Sequence, residues 1–107
     1  MITLENYETE LNGICVVEVS GEGCANCISM MQLLSSIAKN RNDFTLKHIE
    51  ASLDTMALLE HFEVDRVPTV LLTDNGKVFA RATGYQPEEI FEIWIDAKLE
   101  EHKGNTL

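Results

Sequence analysis

The chain has 107 residues, enough for one domain whose core needs no stapling disulfides. Its 18 Asp and Glu against 8 Lys and Arg give a net charge of −10, which disfavours nucleic acid as a partner because affinity for phosphates depends on basic side chains. Three cysteines cannot build a disulfide framework, and no stretch reaches the roughly 18 apolar residues of a membrane span. Met1–Glu5 has neither a basic start nor a long apolar run. We therefore expect no signal peptide, no membrane contact and a cytoplasmic protein.

The first half of the chain predicts a strand followed by a long helix. Before them, Ile2–Leu4 is expected to form a short strand and Tyr7–Leu11 one or two helical turns. Ile14–Val19 is rich in β-branched residues and almost continuously apolar, which is typical of a strand covered on both faces. After a glycine-containing turn, a helix is expected from about Ala25 to Arg41. Its apolar residues fall on two faces, so we expect it to be buried between other elements.

The second half continues the alternation of strands and helices. Phe44–Ile49 is expected to be a strand, and Asp54 is expected to cap a helix that runs through Phe62. Val70–Thr73 is the next predicted strand.

A hairpin and a last helix close the predicted fold. Asn75-Gly76 is a strong signal for a type I′ turn, which returns Lys77–Thr83 antiparallel to the strand before it. Pro87 is expected at the first position of the last helix, with a core stripe of Phe91, Trp94, Ile95 and Leu99. This order predicts an α/β fold with a mixed four- or five-stranded sheet sandwiched between helices.

The chemistry of the chain is expected at Cys24-Ala25-Asn26-Cys27. Residues three apart at the start of a helix lie about 5–6 Å apart, within the range of Cα separations that a disulfide accepts. A CxxC pair between a strand and a helix, in a chain otherwise poor in cysteine, is typical of a redox motif. Cys15, in the middle of a predicted core strand, is expected to be a small buried hydrophobe.

The chain resembles the thioredoxin family over nearly its whole length. The matches are the CxxC unit, Val67-Pro68-Thr69 ahead of a strand and hairpin, Gly84 and the order of elements. The resemblance implies a thioredoxin fold over one domain, residues 1–107, with Pro68 in cis. It also implies a monomeric thiol–disulfide oxidoreductase without cofactor or metal, which reduces protein disulfides and is recharged by a donor of the thioredoxin-reductase type.

The resemblance also assigns roles to residues. Cys24 is expected to be the nucleophile, since a helix N-terminus stabilises a thiolate, and Cys27 the resolving thiol. Glu18 falls six residues before Cys24, where thioredoxins place a buried acid that relays protons. Lys47 lies where the lysine partner of that acid would be.

A substrate-binding surface is expected opposite the CxxC pair, formed by Val67 and Pro68 together with Gly84 and Tyr85. Arg66 precedes this loop, where thioredoxins usually have a small residue. Its charge is expected to offset the nearby Glu22 and stabilise the Cys24 thiolate, or to hold an acidic substrate segment, whereas an Arg66 paired with Asp65 or Glu63 would do neither.

The motif departs from the family at Gly23 and Asn26, where thioredoxins carry tryptophan and proline, so we expect partner binding and redox poise to differ. Two alternative functions stay open. The domain could be an interaction module with secondary redox activity, or one CxxC per chain could form a metal or iron–sulfur site across a dimer. His48, His61 and His102 have no ligand-like spacing to the cysteines and are expected to be ordinary surface or helix residues.

Overall fold

A four-stranded mixed sheet forms the centre of the molecule. The computed structural model describes residues 1–105 and contains β1 (Ile14–Ser20), β2 (Thr45–Glu50), β3 (Thr69–Asp74) and β4 (Lys77–Thr83). The strand order is β2-β1-β3-β4; β2 runs parallel to β1, while β3 and β4 each run antiparallel to the preceding strand in that order. The predicted α/β fold is confirmed, with four strands. The last two residues of the domain predicted over 1–107 lie outside the described residues.

Within the described part of the chain, four helices accompany the sheet, with a 3₁₀ turn before the third. They are α1 (Tyr7–Glu10), α2 (Ala25–Ala38), α3 (Met56–His61, preceded by the 3₁₀ turn Leu53–Thr55) and α4 (Glu88–Asn105). Within residues 1–105, no helix combines the length and the apolar composition required to span a bilayer.

The sheet separates two hydrophobic clusters because successive side chains of a strand point to opposite faces. On one face, Val16 of β1 belongs to the cluster formed with α2 and α4, which supply Met30 and Phe91 among others. On the other face, Val17 packs with residues of α3, such as Leu58. Strand β1 is therefore covered on both sides, as its apolar run predicted.

The beginning of the chain differs from the prediction. Residues Ile2–Leu4 form no strand, because the chain turns here. The Asn6 backbone N–H donates to the Thr3 carbonyl oxygen (3.2 Å), and the Thr3 N–H donates to Asn6 Oδ1 (2.7 Å). This local turn satisfies backbone groups that would otherwise be available for pairing with another strand.

Helix α2 is shorter and less enclosed than predicted. It ends at Ala38 rather than Arg41, and its last turn is closed by Lys39 N–H donating to the Ser36 carbonyl (3.4 Å). One face is buried, whereas Ile28 on the other side is 65% exposed, so the helix covers one face of the sheet and is not buried between elements. The apolar residues on its outer face are left at the surface.

Three other local predictions can be compared with the structure. Asp54 is not a cap: Ser52 is the N-cap of the 3₁₀ turn, in a capping box with Thr55, and Thr55 is the N-cap of α3. Asn75 and Gly76 both have positive φ (49° and 85°), which confirms the predicted hairpin conformation. Pro87 directly precedes α4, and its carbonyl accepts the Phe91 N–H at 3.0 Å.

Arg41 connects the end of α2 with α4. Its guanidinium lies 2.6 Å from Asp43 Oδ2 and 2.8 Å from Asp96 Oδ1, and it stacks over the Phe44 ring at 5.1 Å. The side chain is 19% exposed. The Arg41 guanidinium beside Asp43 holds the pKa of that carboxyl below its ordinary value.

We predict that Arg41→Gln lowers the free energy of unfolding by about 1–2 kcal/mol at pH 7, more than a single exposed ion pair contributes, because several contacts are lost together. A carboxyl whose folded-state pKa is depressed contributes stability above its unfolded-state pKa and loses it as pH falls through the folded value. The difference between wild type and variant should therefore shrink on acidification below about pH 4. Urea unfolding of both proteins at several pH values measures this difference in unfolding free energy. A difference that does not change with pH would contradict the ion-pair account.

Candidate active site at the start of helix α2

The N-terminus of α2 is built around Cys24. This residue is the helix N-cap, and its Sγ accepts the Cys27 backbone N–H at 3.2 Å. Gly23 supplies the positive φ of 73° that turns the chain from β1 into the helix. The Cys24 sulfur therefore occupies the position of a capping oxygen, close to the free N–H groups and the positive end of the helix dipole.

The two cysteines are joined and differ in accessibility. Cys24 and Cys27 form a disulfide, with their Cα atoms 5.2 Å apart. Cys24 is partly exposed, whereas Cys27 is buried (3% exposed). An attacking thiol needs access to its substrate and a resolving thiol needs access only to its partner sulfur, so this asymmetry fits the predicted roles.

Glu18 is completely buried on the face of the sheet that α2 covers. One carboxylate oxygen accepts the Ser20 hydroxyl, and the other accepts His48 Nδ1 at 2.7 Å. Burying a charged group is costly unless it is paired and hydrogen-bonded. The two contacts supply that compensation.

The predicted Glu18–Lys47 pair is wrong. In the β1–β2 register, Glu18 lies opposite His48, and Lys47 lies opposite Val17. Val17 belongs to the cluster on the other side of the sheet, so alternation directs Lys47 away from Glu18. Lys47 instead acts electrostatically on Cys15.

His48 is a site residue that the sequence analysis missed. Its ring lines a cavity of about 530 Å³ together with Cys24 and Cys27, and Ile28 and Met31 form an apolar wall. The signal was present in the alternation of β2, which puts residues 46, 48 and 50 on the side facing α2. The other two histidines have structural contacts away from this cavity: His61 with Tyr7 (3.0 Å) and His102 with Asp74 (2.8 Å).

The loop before β3 packs against the turn that precedes Cys24. The Val67–Pro68 peptide is cis, as the resemblance implied, and Pro68 is buried. A Cβ atom on Gly21 would lie 3.1 Å from Val67 Cγ2, so the close approach of the two loops depends on glycine at this position. Gly84 donates its backbone N–H to the Pro68 carbonyl at 3.0 Å, which ties this loop to the end of β4.

The remaining predicted residues of the substrate surface lie outside this packing. Tyr85 is 44% exposed. Arg66 is also exposed, and its Nε donates to Asp65 Oδ1 at 3.2 Å. This pairing lowers the pKa of the Asp65 carboxyl. Arg66 is therefore paired with Asp65, the alternative under which the sequence analysis expected it neither to act on Cys24 nor to hold a substrate.

Cys15 is a free thiol buried in the core. Burial raises the pKa of its thiol, while the charge of Lys47 partly lowers it. Since the thiolate is the reactive form, Cys15 is not a competing nucleophile. Among residues 1–105, no group of three or more His, Cys, Asp or Glu side chains is arranged to hold a metal ion.

Comparison with known proteins agrees with this geometry. A family model described as thioredoxin matches residues 1–97. The chain belongs to the thioredoxin family. It is 26% identical over 97 residues to a thioredoxin from Chlamydia pneumoniae, covering 90% of this chain and 94% of that protein. Its fold resembles that of a mutant thioredoxin from Halobacterium salinarum NRC-1, with a TM-score of 0.72 and 19% identity, covering 89% of this chain and 81% of that one. The predicted family and fold are confirmed, and the CxxC pair in this family supports thiol–disulfide oxidoreductase chemistry in general.

We predict that Gly21→Ala displaces Val67, because the added methyl group would lie 3.1 Å from Val67 Cγ2. The crowding should cost about 1 kcal/mol of stability, and the shift of the loop beside Cys24 should lower disulfide-reduction activity by about two- to fivefold. Gly104→Ala is the control, since an added Cβ there meets nothing within 4 Å. Thermal melts and a reductase assay measure both effects; unchanged activity and stability in Gly21→Ala would show that the contact has no role.

Proposed function

We propose that this protein is a protein disulfide reductase that cycles between a Cys24–Cys27 dithiol and a disulfide. The observation that carries the proposal is the placement of Cys24 Sγ as the N-cap of α2, hydrogen-bonded to the Cys27 N–H, with Cys27 buried behind it. A thiol in this position is activated by the helix terminus. The neighbouring cysteine is within bonding distance and shielded from other reactants.

The proposed reaction has two exchange steps. The Cys24 thiolate attacks one sulfur of a substrate disulfide, so a mixed disulfide forms and the other substrate sulfur leaves as a thiolate. The Cys27 thiolate then attacks Cys24 Sγ, which closes the intramolecular disulfide and releases the second substrate thiol. Two electrons pass from the protein to the substrate, and a reductase of the thioredoxin-reductase type would restore the dithiol in the cytoplasm.

We propose that protein substrates bind across the loop that follows Arg66 and the adjoining end of β4. Val67 packs beside the turn that leads to Cys24, and Gly84 is hydrogen-bonded to Pro68. Tyr85 next to it offers an exposed aromatic surface. An extended segment could therefore contact this loop while its disulfide reaches Cys24.

We predict that the protein catalyses reduction of insulin by dithiothreitol, followed by turbidity. Cys24→Ser should abolish the catalysed rate because the attacking sulfur is removed, and Cys27→Ser should trap mixed disulfides because the first step has no resolving thiol. Trapped species are detected by mass spectrometry under non-reducing conditions.

Cys15→Ala is the matched control, since Cys15 is buried outside the site and should leave the rate unchanged. Wild-type protein that fails to exceed the uncatalysed rate would contradict the reductase proposal and favour an interaction module. Mixed disulfides that persist in Cys24→Ser would assign the attack to another cysteine.

A further inference from the structure

The buried carboxylate of Glu18 is linked to the disulfide cavity through two side chains, Ser20 and His48. Both of its oxygens are engaged, one by the Ser20 hydroxyl and the other by His48 Nδ1. Glu18 itself does not line the cavity that contains the cysteines, whereas His48 does. Ser20 also lines the cavity, but of the two side chains that contact Glu18 only the imidazole of His48 can take up and hold a proton near neutral pH.

Both nitrogens of His48 face carboxylate oxygens. Nδ1 is 2.7 Å from Glu18 Oε1, and Nε2 is 3.2 Å from Glu50 Oε1. Ionised carboxylates only accept hydrogen bonds, so each ring nitrogen has an acceptor within reach, and an imidazole that takes up a second proton can donate to both. This arrangement occurs in the structure in which the Cys24–Cys27 bond is closed and neither sulfur holds a proton.

We propose that His48 is the proton acceptor for Cys27 in the resolving step, with Glu18 as the residue that positions and stabilises its protonated form. The inference rests on the function proposed above and concerns its second step. Of the residues that line the cavity, the titratable ones are Cys24 and Cys27 from α2 and His48 and Glu50 from β2. Glu18 faces His48 from β1, and His48 alone of these contacts both the cavity and the buried carboxylate.

The resolving step moves one proton and exchanges one S–S bond for another. The S–H bond of Cys27 breaks and its proton passes to His48 Nε2, directly or through water in the cavity. The Cys27 thiolate attacks Cys24 Sγ, the bond between Cys24 and the substrate sulfur breaks, and that sulfur leaves with the electron pair. The departing thiolate takes up a proton from solvent, and His48 retains the proton of Cys27 in the disulfide form. When a reductant opens the disulfide again, His48 returns the proton to Cys27 as it leaves.

The roles of the two carboxylates differ by burial. Glu18 is fully buried and held by two hydrogen bonds, so it fixes the orientation of the ring through Nδ1. Glu50 is more than half exposed, so it can move away from Nε2 and admit the proton. A carboxylate that orients an imidazole through Nδ1 while Nε2 exchanges the proton is a recurring arrangement in general base catalysis.

The two exchange steps can be separated with 5,5′-dithiobis(2-nitrobenzoate) as the small disulfide probe. In the reduced protein, Cys24 attacks the probe and releases one coloured thiolate at a rate that depends on the probe concentration. Cys27 then attacks the mixed disulfide and releases the second coloured thiolate at a rate that does not depend on the probe concentration. Stopped-flow absorbance of wild type, His48→Gln and His61→Gln is recorded between pH 6 and 8.

We predict that His48→Gln slows the second phase by at least about tenfold and leaves the first phase within about twofold, because only the second step transfers a proton from Cys27. His61→Gln is the matched control and should resemble wild type, since His61 lies on α3 away from the cavity. Glu18→Gln should slow the second phase less and move the midpoint of its pH profile to lower pH, because the imidazolium loses its buried counter-charge.

A second phase unchanged in His48→Gln would overturn the proposal, as would an equal slowing of both phases. If His48→Gln leaves Glu18 uncompensated and fails to fold, the double variant Glu18→Gln/His48→Gln removes the buried charge and must show the same slow second phase. A wild-type protein that releases no second thiolate would contradict the reductase function itself, and this outcome is distinguishable from failure of the His48 assignment.

Discussion

The hydrogen bond from the Cys27 N–H to Cys24 Sγ makes one sulfur serve as both the cap of a helix and the reactive atom of the site. A conventional cap would be an oxygen from Ser, Thr, Asp or Asn. With sulfur in that place, the stabilisation that a helix N-terminus gives to negative charge falls on the thiolate. The packing of α2 on the sheet fixes the direction of the helix, and the short turn through Gly21 and Gly23 fixes where the sulfur lies.

The second constraint is the charge buried beneath the helix. Glu18 costs free energy in a core strand, and that cost is compensated by contacts with Ser20 and His48 instead of by a lysine. His48 lies on β2 and lines the same cavity as Cys24 and Cys27, so the group that compensates Glu18 also lies beside the disulfide. The residue that provides a hydrogen-bond partner for the buried Glu18 carboxylate is thereby placed where it can exchange protons with the cysteines.

Local patterns were sufficient for most of the fold. The apolar run of β1, the hairpin at Asn75-Gly76 and the CxxC pair are signals carried by neighbouring residues, and the structure reproduces them. The family resemblance supplied the cis Pro68, which no periodicity indicates. The position of the start of α2 also followed from local chemistry, since strand, turn and helix follow one another within few residues.

The features that were missed depend on relations between distant segments. Choosing between Lys47 and His48 as the partner of Glu18 needs the register of two strands, and a shift of one residue reverses the face. That one side of α2 stays exposed, and that Arg66 pairs with Asp65, depends on which other segments of the chain pack against these surfaces. Ser52 rather than Asp54 is the N-cap of the 3₁₀ turn that leads into the third helix, and its backbone N–H donates to Thr55 Oγ1.

The most direct test of the central claim is a redox titration of the wild-type protein against mixtures of reduced and oxidised dithiothreitol, with alkylation and peptide mass mapping at each point. The account predicts one reversible two-electron transition in which Cys24 and Cys27 exchange between thiols and a mutual disulfide while Cys15 stays reduced. A disulfide that includes Cys15, or the absence of any reversible transition of Cys24 and Cys27, would contradict it.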